Sequence, residues 1–192
     1  RSPSRGLGDV YKRQGYDMYE FSILNKNSIF RKGFLWLLTK VTLSVSDLFT
    51  VTSMADKDFL QEKFKFNLEK IKIRPNWIRN NNQCSILERK NEEILTVGRL
   101  DKQKNYQELI KIFQKNSTFK LKIIGEGYLE EDLKSLIKSN NLNVSIHKNI
   151  DNKKLIEEMN KHKYYISSSL FEGNPKTILE AMSAGCEVIA SD

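Results

Sequence analysis

The sequence predicts an α/β fold, a doubly wound parallel sheet with helices on both faces. From residue 94 onward, short apolar runs alternate with segments in which apolar residues recur every three or four positions. Strands that alternate with helices favour a parallel sheet, and right-handed crossovers make the doubly wound arrangement the expected one. The chain has 192 residues, of which 39% are hydrophobic, so it can bury a core of this kind.

Five strands and four helices make up this array. The strands are apolar runs, and we place them at 94–97, 121–124, 144–147, 164–168 and 186–190. The first helix follows from helical spacing of Tyr106, Leu109, Ile110 and Phe113. Asn105 and Glu108 resemble a capping box at its start. Asp151 or Asn152 caps the third helix, and Gly185 suits the end of the fourth.

The strand order decides where a ligand binds. In the common order 3-2-1-4-5, the first and fourth strands are neighbours and their loops leave in opposite directions. The crevice between such loops, at the carboxyl ends of the strands, is where ligands bind in open α/β sheets. If this order holds, the loop at 98–104 lies beside the loop at 169–174.

The residues before this array are divided into three segments. Residues 1–14 resemble translated sequencing-adapter sequence, and we expect both ends of the chain to be fragment ends. Residues 15–78 are interpreted as the remnant of a second α/β domain, with Ser53 capping a helix. Residues 79–93 are polar and lack periodicity, so we interpret them as a linker. The domain that follows then spans 94–192.

Composition excludes several classes of protein. The formal net charge is +8, of which the first fourteen residues contribute about +3, and the remaining lysines are scattered. Scattered lysines are typical of a solvated surface, so nucleic-acid binding has weak support, while contact with an anionic membrane surface is compatible. The two cysteines, Cys84 and Cys186, form neither a disulfide framework nor a zinc site, and they fit a reducing compartment. The longest apolar run, at 34–38, is far too short for a membrane helix.

The loop after the fourth strand predicts an anion site. Asn174 is a good N-cap and Pro175 a good first helical residue. The backbone N–H groups of Lys176 and Thr177 then lie at a helix N-terminus, where the helix dipole favours phosphate. In the alternative interpretation, the Asn174 side chain satisfies one of these donors itself.

Two glutamates lie in or near this loop. Glu180 falls opposite the apolar stripe of its helix, so it is either a solvated side chain or a carboxylate that accepts hydrogen bonds from ribose hydroxyls. Glu172 lies in the loop itself, where a carboxylate would repel phosphate. Its functional partner is therefore a neutral polyol such as a sugar, and the alternative is an exposed loop carboxylate.

The loop after the first strand supplies two cations. Arg99 offers a bidentate fork to phosphate oxygens, and Lys104 a movable point charge. Facing a helix N-terminus, they would form a diphosphate clamp, although each is also one of 32 basic residues. Gly125 after the second strand permits either close approach of a ligand or a tight turn. We assign no functional role to His147 or His162 and place both at the surface or at helix ends.

The ordered set of these residues resembles the retaining GT-B glycosyltransferases, close to the large glycosyl transferases group one family. The set comprises Val97-Gly98-Arg99-Leu100, Lys104-Asn105, Ile124-Gly125-Glu126-Gly127, Ser169 with Glu172-Gly173, Glu180-Ala181-Met182, Gly185 and Val188-Ile189-Ala190. The resemblance covers about residues 47–192. It implies two Rossmann-like domains, of which the C-terminal one holds the nucleotide-sugar donor.

The resemblance also implies residue roles. Arg99 and Lys104 match the cations that hold the donor diphosphate, Glu172 the residue that contacts the donor sugar, and Glu180 the residue that contacts the ribose. We group Arg99, Lys104 and Glu172 as catalytic, and we place Gly98, Gly125, Gly173, Asn174, Lys176, Thr177 and Glu180 in the donor site. The resemblance implies a UDP- or GDP-type sugar as the donor substrate, and it implies no metal and no other cofactor.

The implied activity is transfer of a sugar from this donor to a glycan or lipid-linked acceptor with retention of configuration, in bacterial surface polysaccharide synthesis. The implied location is the cytoplasm or the inner face of the plasma membrane. The active-site histidine of the family's N-terminal domain lies upstream of this sequence, so we expect the fragment to be inactive. A nucleotide-sugar epimerase of the same fold and a non-catalytic nucleotide-binding domain are the alternatives.

Overall fold

The computed structural model describes residues 29–78, 89–114, 118–170, 172 and 175–191. The described residues fall into two compact units. The first comprises residues 29–76 and Glu172, and the second comprises the described residues of 77–170 together with 175–191. The segment interpreted as adapter-like, residues 1–14, lies outside the described residues.

The first unit contains two helices and a two-stranded parallel sheet. Helix α1 (Ile29–Val45) leads into strand β1 (Phe49–Val51), helix α2 (Met54–Phe64), a 3₁₀ turn (Leu68–Lys70) and strand β2 (Ile71–Ile73). The sequence-based cap of α2 is confirmed, because the Ser53 side chain accepts a 3.1 Å hydrogen bond from the Asp56 N–H. A small core joins these elements, with Leu43, Phe49, Val51, Leu60 and Ile71 buried.

The second unit is a five-stranded parallel sheet with a helix after each of the first four strands. Its elements are β3 (Lys90–Val97), α3 (Tyr106–Gln114), β4 (Lys120–Ile124), α4 (Glu130–Ser139), β5 (Val144–His147), α5 (Asn152–Asn160), β6 (His162–Ser167), α6 (Lys176–Ser183) and β7 (Glu187–Ala190). The strand order is β5-β4-β3-β6-β7, and every neighbouring pair is parallel. The predicted order, with the first and fourth strands adjacent, is therefore confirmed.

Each face of this sheet carries its own apolar core. On one face Leu95, Tyr165 and Val97 pack with Leu155 and Met159 of α5 and with Ala181 of α6. On the other face Leu121 and Ile123 pack with Leu109 and Ile110 of α3 and with Leu133 of α4. Because side chains alternate along a strand, a sheet with helices on both faces buries both sets of side chains, as the doubly wound prediction requires.

Several element boundaries differ from the predicted ones. Strand β3 begins at Lys90, four residues early, because polar residues such as Lys90 and Glu93 pair with β6 and β4 and carry no apolar signal. The capping box at Asn105 is wrong, since its φ of 54° is left-handed and it ends a 3₁₀ turn. Gly185 follows α6 with a φ of 79°, as predicted for a helix stop. In the described part of the chain, no helix is long and apolar enough to cross a membrane.

Candidate functional site

The two loops predicted to face each other are joined by hydrogen bonds. The Ser168 hydroxyl, just after β6, donates to the Lys104 carbonyl at 2.8 Å. The Leu170 N–H donates to the Gln103 carbonyl, also at 2.8 Å. The loop after β3 and the loop after β6 therefore form one connected surface at the carboxyl edge of the sheet.

Glycines allow the loops after β3 and β4 to approach closely. The Gly98 N–H donates to the Ile124 carbonyl at 3.0 Å. A Cβ on Gly125 would lie 1.9 Å from the Gly98 carbonyl oxygen, and one on Gly127 would lie 2.4 Å from that of Leu100. Only glycine fits at these two positions without a shift of backbone. The close contact with the Gly98 carbonyl explains why a glycine is needed in the tight turn at Gly125. The predicted contact of Gly125 with a ligand stays a prediction.

Arg99 is anchored by its own loop while its side chain stays 63% exposed. Its Nε lies 3.5 Å from Oδ2 of Asp101, and its Nη2 lies 3.5 Å from Oε1 of Gln103. Asp101 and Gln103 are themselves buried. The Arg99 side chain is therefore tied to its own loop and remains largely exposed at the carboxyl side of β3.

Lys104 ends a 3₁₀ turn, Lys102–Lys104, that Asp101 caps. Oδ1 of Asp101 accepts a 3.2 Å hydrogen bond from the Lys104 N–H. The Lys104 side chain is half-buried and lies across Gly98, because a Cβ built on Gly98 would come within 2.8 Å of the lysine Cε. Gly98 thus leaves the space that the lysine stem occupies.

Helix α6 presents its amino end at the same edge, because it follows β6 in a parallel sheet. It begins at Lys176, so Pro175 is the N-cap residue and not the first helical residue as predicted. Pro175 supplies no side-chain hydrogen bond to the first turn. The N–H groups of Lys176 and Thr177 belong to that first turn, which is where anions bind helices. Gly173 and Asn174, which we predicted in the donor site, lie outside the described residues.

Glu180 is buried, contrary to the solvated position that the helical spacing suggested. Only 5% of the residue is exposed. Its Oε1 accepts a 3.0 Å hydrogen bond from Nδ2 of Asn152 and lies 3.1 Å from Nζ of Lys176. The helical spacing of α6 shows only which of its own residues are apolar. It cannot show that Asn152, at the start of α5, contacts Glu180 on the opposite side of the helix.

Glu172 is half-buried and belongs to the first compact unit. Its predicted contact with a donor sugar stays a prediction.

The predicted surface position of His162 is wrong, because the residue is 0% exposed and begins strand β6. The alternative, a helix end, is confirmed, because His162 directly follows the C-cap residue of α5. Its Nδ1 lies 2.8 Å from the Glu158 carbonyl and its Nε2 lies 2.9 Å from Oε2 of Glu93. Burial raises the pKa of Glu93, but hydrogen bonds and charge from Lys90 and His162 outweigh burial and lower it. These groups lie toward the amino ends of the strands, away from the loops described above.

A second ion pair joins the sheet to α5. Nζ of Lys122 in β4 lies 2.5 Å from Oε1 of Glu158, and both side chains are largely buried. Burial raises the pKa of Glu158, but the hydrogen bond and charge of Lys122, followed by those of Lys161, lower it to about 2. Glu158 therefore stays ionised in the folded protein down to strongly acidic pH.

Sequence reasoning missed the residues that support the site. Asp101 carried a readable signal, since Asp followed by a short turn is typical of a side-chain cap. Ser168 and Asn152 carried none, because their partners, Lys104 and Glu180, are distant in sequence. Within the described ranges, no group of three or more His, Cys, Asp or Glu side chains could hold a metal ion.

Comparison with known proteins agrees with this architecture. The family model described as glycosyl transferases group 1 matches residues 79–192. An N-acetylgalactosaminyltransferase of Campylobacter jejuni, which by name acts on a diphospho-undecaprenol acceptor, is 31% identical over 173 residues, or 88% of this chain and 46% of the relative. An uncharacterised glycosyltransferase of Haemophilus influenzae is 32% identical over 78% of this chain and 43% of its own length. The chain thus spans about half the length of these curated relatives.

Solved structures show the same fold at lower identity. WaaG, a glycosyltransferase of lipopolysaccharide biosynthesis, matches with a TM-score of 0.68 at 15% identity over 90% of this chain and 50% of its own. HepE of Anabaena, solved with UDP and glucose, matches with a TM-score of 0.68 at 17% identity over 82% of this chain and 48% of its own. Both support the GT-B assignment of the fold. From the family match and the Campylobacter relative together, the chain belongs to the glycosyl transferases group 1 family.

Proposed function

We propose that this chain carries the donor site of a retaining glycosyltransferase that uses a UDP- or GDP-type sugar. The observation that carries the proposal is a pair of hydrogen bonds, Ser168 to Lys104 and Leu170 to Gln103. These bonds hold the loop after β3, which carries the two cations, beside the loop after β6, which leads into helix α6. The carboxyl edge of an open α/β sheet, at the point where the strand order reverses, is the place where such folds bind nucleotides.

The charges at this edge suit a diphosphate. Arg99 and Lys104 are cations on one loop, and the first-turn N–H groups of Lys176 and Thr177 belong to the helix that follows the other. A guanidinium can bind two phosphate oxygens at once, and a helix amino end adds partial positive charge. The donor diphosphate is the ligand that these groups would hold.

Such a site would also accelerate the reaction. When the sugar–phosphate bond breaks, negative charge grows on the leaving diphosphate and positive charge on the anomeric carbon. Fixed donors and cations stabilise that leaving charge with little rearrangement, and in many enzymes this stabilisation contributes more to catalysis than any other effect. Removal of one such contact in other enzymes costs about 2.7–4 kcal/mol in the barrier, and we expect a similar loss for Lys104.

The remaining parts of the proposal follow from the resemblance and the relatives. Glu172 would contact the donor sugar and Glu180 the ribose. The acceptor would be a glycan or a lipid-linked glycan in bacterial surface polysaccharide synthesis, a proposal that the lipid-linked acceptor in the name of the Campylobacter relative supports. Contact with an anionic membrane surface would bring such an acceptor within reach. By itself this chain would bind the donor without transferring sugar.

The test uses this sequence within a protein of the full length of its curated relatives, because the chain spans only about half of that length. It is incubated with UDP- and GDP-sugars and with undecaprenyl-diphosphate-linked glycan acceptors, and the new linkage is examined by proton NMR. Transfer with the donor's anomeric configuration supports the proposal. An inverted linkage contradicts retention, and release of a 2-epimerised free sugar identifies an epimerase instead.

A further inference from the structure

We propose that Asn152 is a positioning residue that holds the Glu180 carboxylate ready for a ribose hydroxyl of the bound nucleotide. This inference rests on the proposed function, because it assigns a support to one of its donor-binding residues. It adds a residue from α5, an element that had no part in the predicted site.

The geometry around Glu180 singles out one of its two oxygens. Nδ2 of Asn152 donates to Oε1 at 3.0 Å, and Nζ of Lys176 lies 3.1 Å from the same oxygen. Among the residues that the structure describes, no hydrogen bond reaches Oε2. Two donors from two helices thus fix the carboxylate through Oε1, and Oε2 keeps its lone pairs for another donor.

The position of Asn152 is itself fixed by the start of α5. Asp151 caps this helix, with its Oδ1 accepting a 3.0 Å hydrogen bond from the Lys154 N–H. Asn152 is the first residue of the helix, and side chains in a helix tilt toward its amino end. The cap therefore orders the backbone from which the Asn152 amide reaches across to α6.

The chemistry of the two donors explains why the carboxylate stays an acceptor. An amide is neutral, so Asn152 orients Glu180 without cancelling its charge. Lys176 is a cation, but its side chain is exposed, and water screens its charge. Glu180 therefore offers an oriented carboxylate oxygen at the edge where the nucleotide is proposed to bind. A ribose hydroxyl, a neutral donor, is the ligand group that such an oxygen suits.

The test measures nucleotide affinity by isothermal titration calorimetry on the whole 192-residue chain. The probes are UDP with 2′-deoxy-UDP and 3′-deoxy-UDP, and GDP with the corresponding deoxy forms. We expect the unaltered chain to bind the parent nucleotide more tightly than at least one deoxy form. Asn152→Ala should weaken parent binding about 5- to 10-fold, while affinity for that deoxy form changes less than about 2-fold, because the lost orientation matters only to the hydroxyl.

Two further variants sharpen the result. Lys153→Ala, the next residue of α5 and exposed, is the matched control and should leave all affinities unchanged. Asn152→Asp should weaken parent binding more than Asn152→Ala, because a second carboxylate repels Glu180. If Asn152→Ala fails to fold, Asn152→Asp still tests the inference.

Each outcome separates this inference from the proposed function. An equal loss for parent and deoxy nucleotides would give Asn152 a structural role only and overturn the inference. Binding without discrimination against any deoxy form would also overturn it, while leaving nucleotide binding intact. If the unaltered chain binds neither UDP nor GDP, the proposed function is wrong, and the inference about Asn152 is wrong with it.

Discussion

The hydroxyl of Ser168 donates a 2.8 Å hydrogen bond to the carbonyl of Lys104, 64 residues away in the sequence. This bond ties the loop after β3 to the loop after β6 at the carboxyl edge of the sheet. The same edge carries the amino end of α6. A lysine proposed to hold a diphosphate thus has its backbone fixed by the neighbouring loop.

Removal of this bond should weaken the fold modestly. Ser168→Ala leaves the Lys104 carbonyl without its hydroxyl partner, and we expect a loss of about 0.5–1.5 kcal/mol in the free energy of unfolding. Urea denaturation followed by circular dichroism measures it. Ser139→Ala is the control, since its hydroxyl bonds within an exposed helix end and should cost less than about 0.5 kcal/mol. Equal losses for the two variants would contradict a special role for the Ser168 bond.

Gly125→Ala should destabilise the second unit strongly. The added Cβ would lie 1.9 Å from the Gly98 carbonyl oxygen, so the backbone of one loop must move. We expect a loss of about 3 kcal/mol or more, at the upper end of the cost of overpacking. Thermal unfolding measures the change.

Gly33→Ala is the matched control for this substitution. A Cβ there meets nothing within 4 Å and lies inside helix α1. Alanine in a helix is favoured over glycine by about 0.5–1 kcal/mol, so this variant should be neutral or slightly stabilised. A similar loss at both positions would show that the close approach at Gly125 does not matter.

The Lys122–Glu158 pair should make stability depend on acid pH. The pKa of Glu158 falls from 4.5 to about 2 on folding, so the folded state binds protons less readily than the unfolded state. The stabilisation is therefore complete above about pH 4.5 and is lost as the pH falls toward 2. Glu158→Gln should cost about 1–3 kcal/mol at pH 7, because it leaves Lys122 without its ionic partner.

Urea titrations at several pH values between 7 and 2.5 test this dependence. The gap in unfolding free energy between the unaltered chain and Glu158→Gln should shrink as the pH falls through this range. Glu157→Gln, an exposed neighbour on α5, should show little gap at any pH. A gap for Glu158→Gln that stays constant with pH would contradict the assigned cause.

The sequence predicted the second unit well because its strands and helices carry strong apolar periodicity. The order of its five strands was assumed from the commonest doubly wound arrangement, and the structure confirms both this order and the neighbouring positions of the loops after β3 and β6. The sequence could not predict the burial of Glu180 or His162. Their surroundings, Asn152 on α5 and Glu93 on β3, come from distant parts of the chain, and polar partners leave no periodic signal.

We propose that Lys104 lies in a site for a nucleotide diphosphate, and the affinity for nucleotides measures its contribution. UDP and GDP are titrated by calorimetry into the unaltered chain, into Lys104→Ala and into Lys102→Ala, an exposed lysine of the same turn. We predict that Lys104→Ala weakens binding of the preferred nucleotide at least about 10-fold, a loss of about 1.4 kcal/mol or more, while Lys102→Ala changes it less than about 2-fold. Equal affinity of the unaltered chain and Lys104→Ala would contradict the claim.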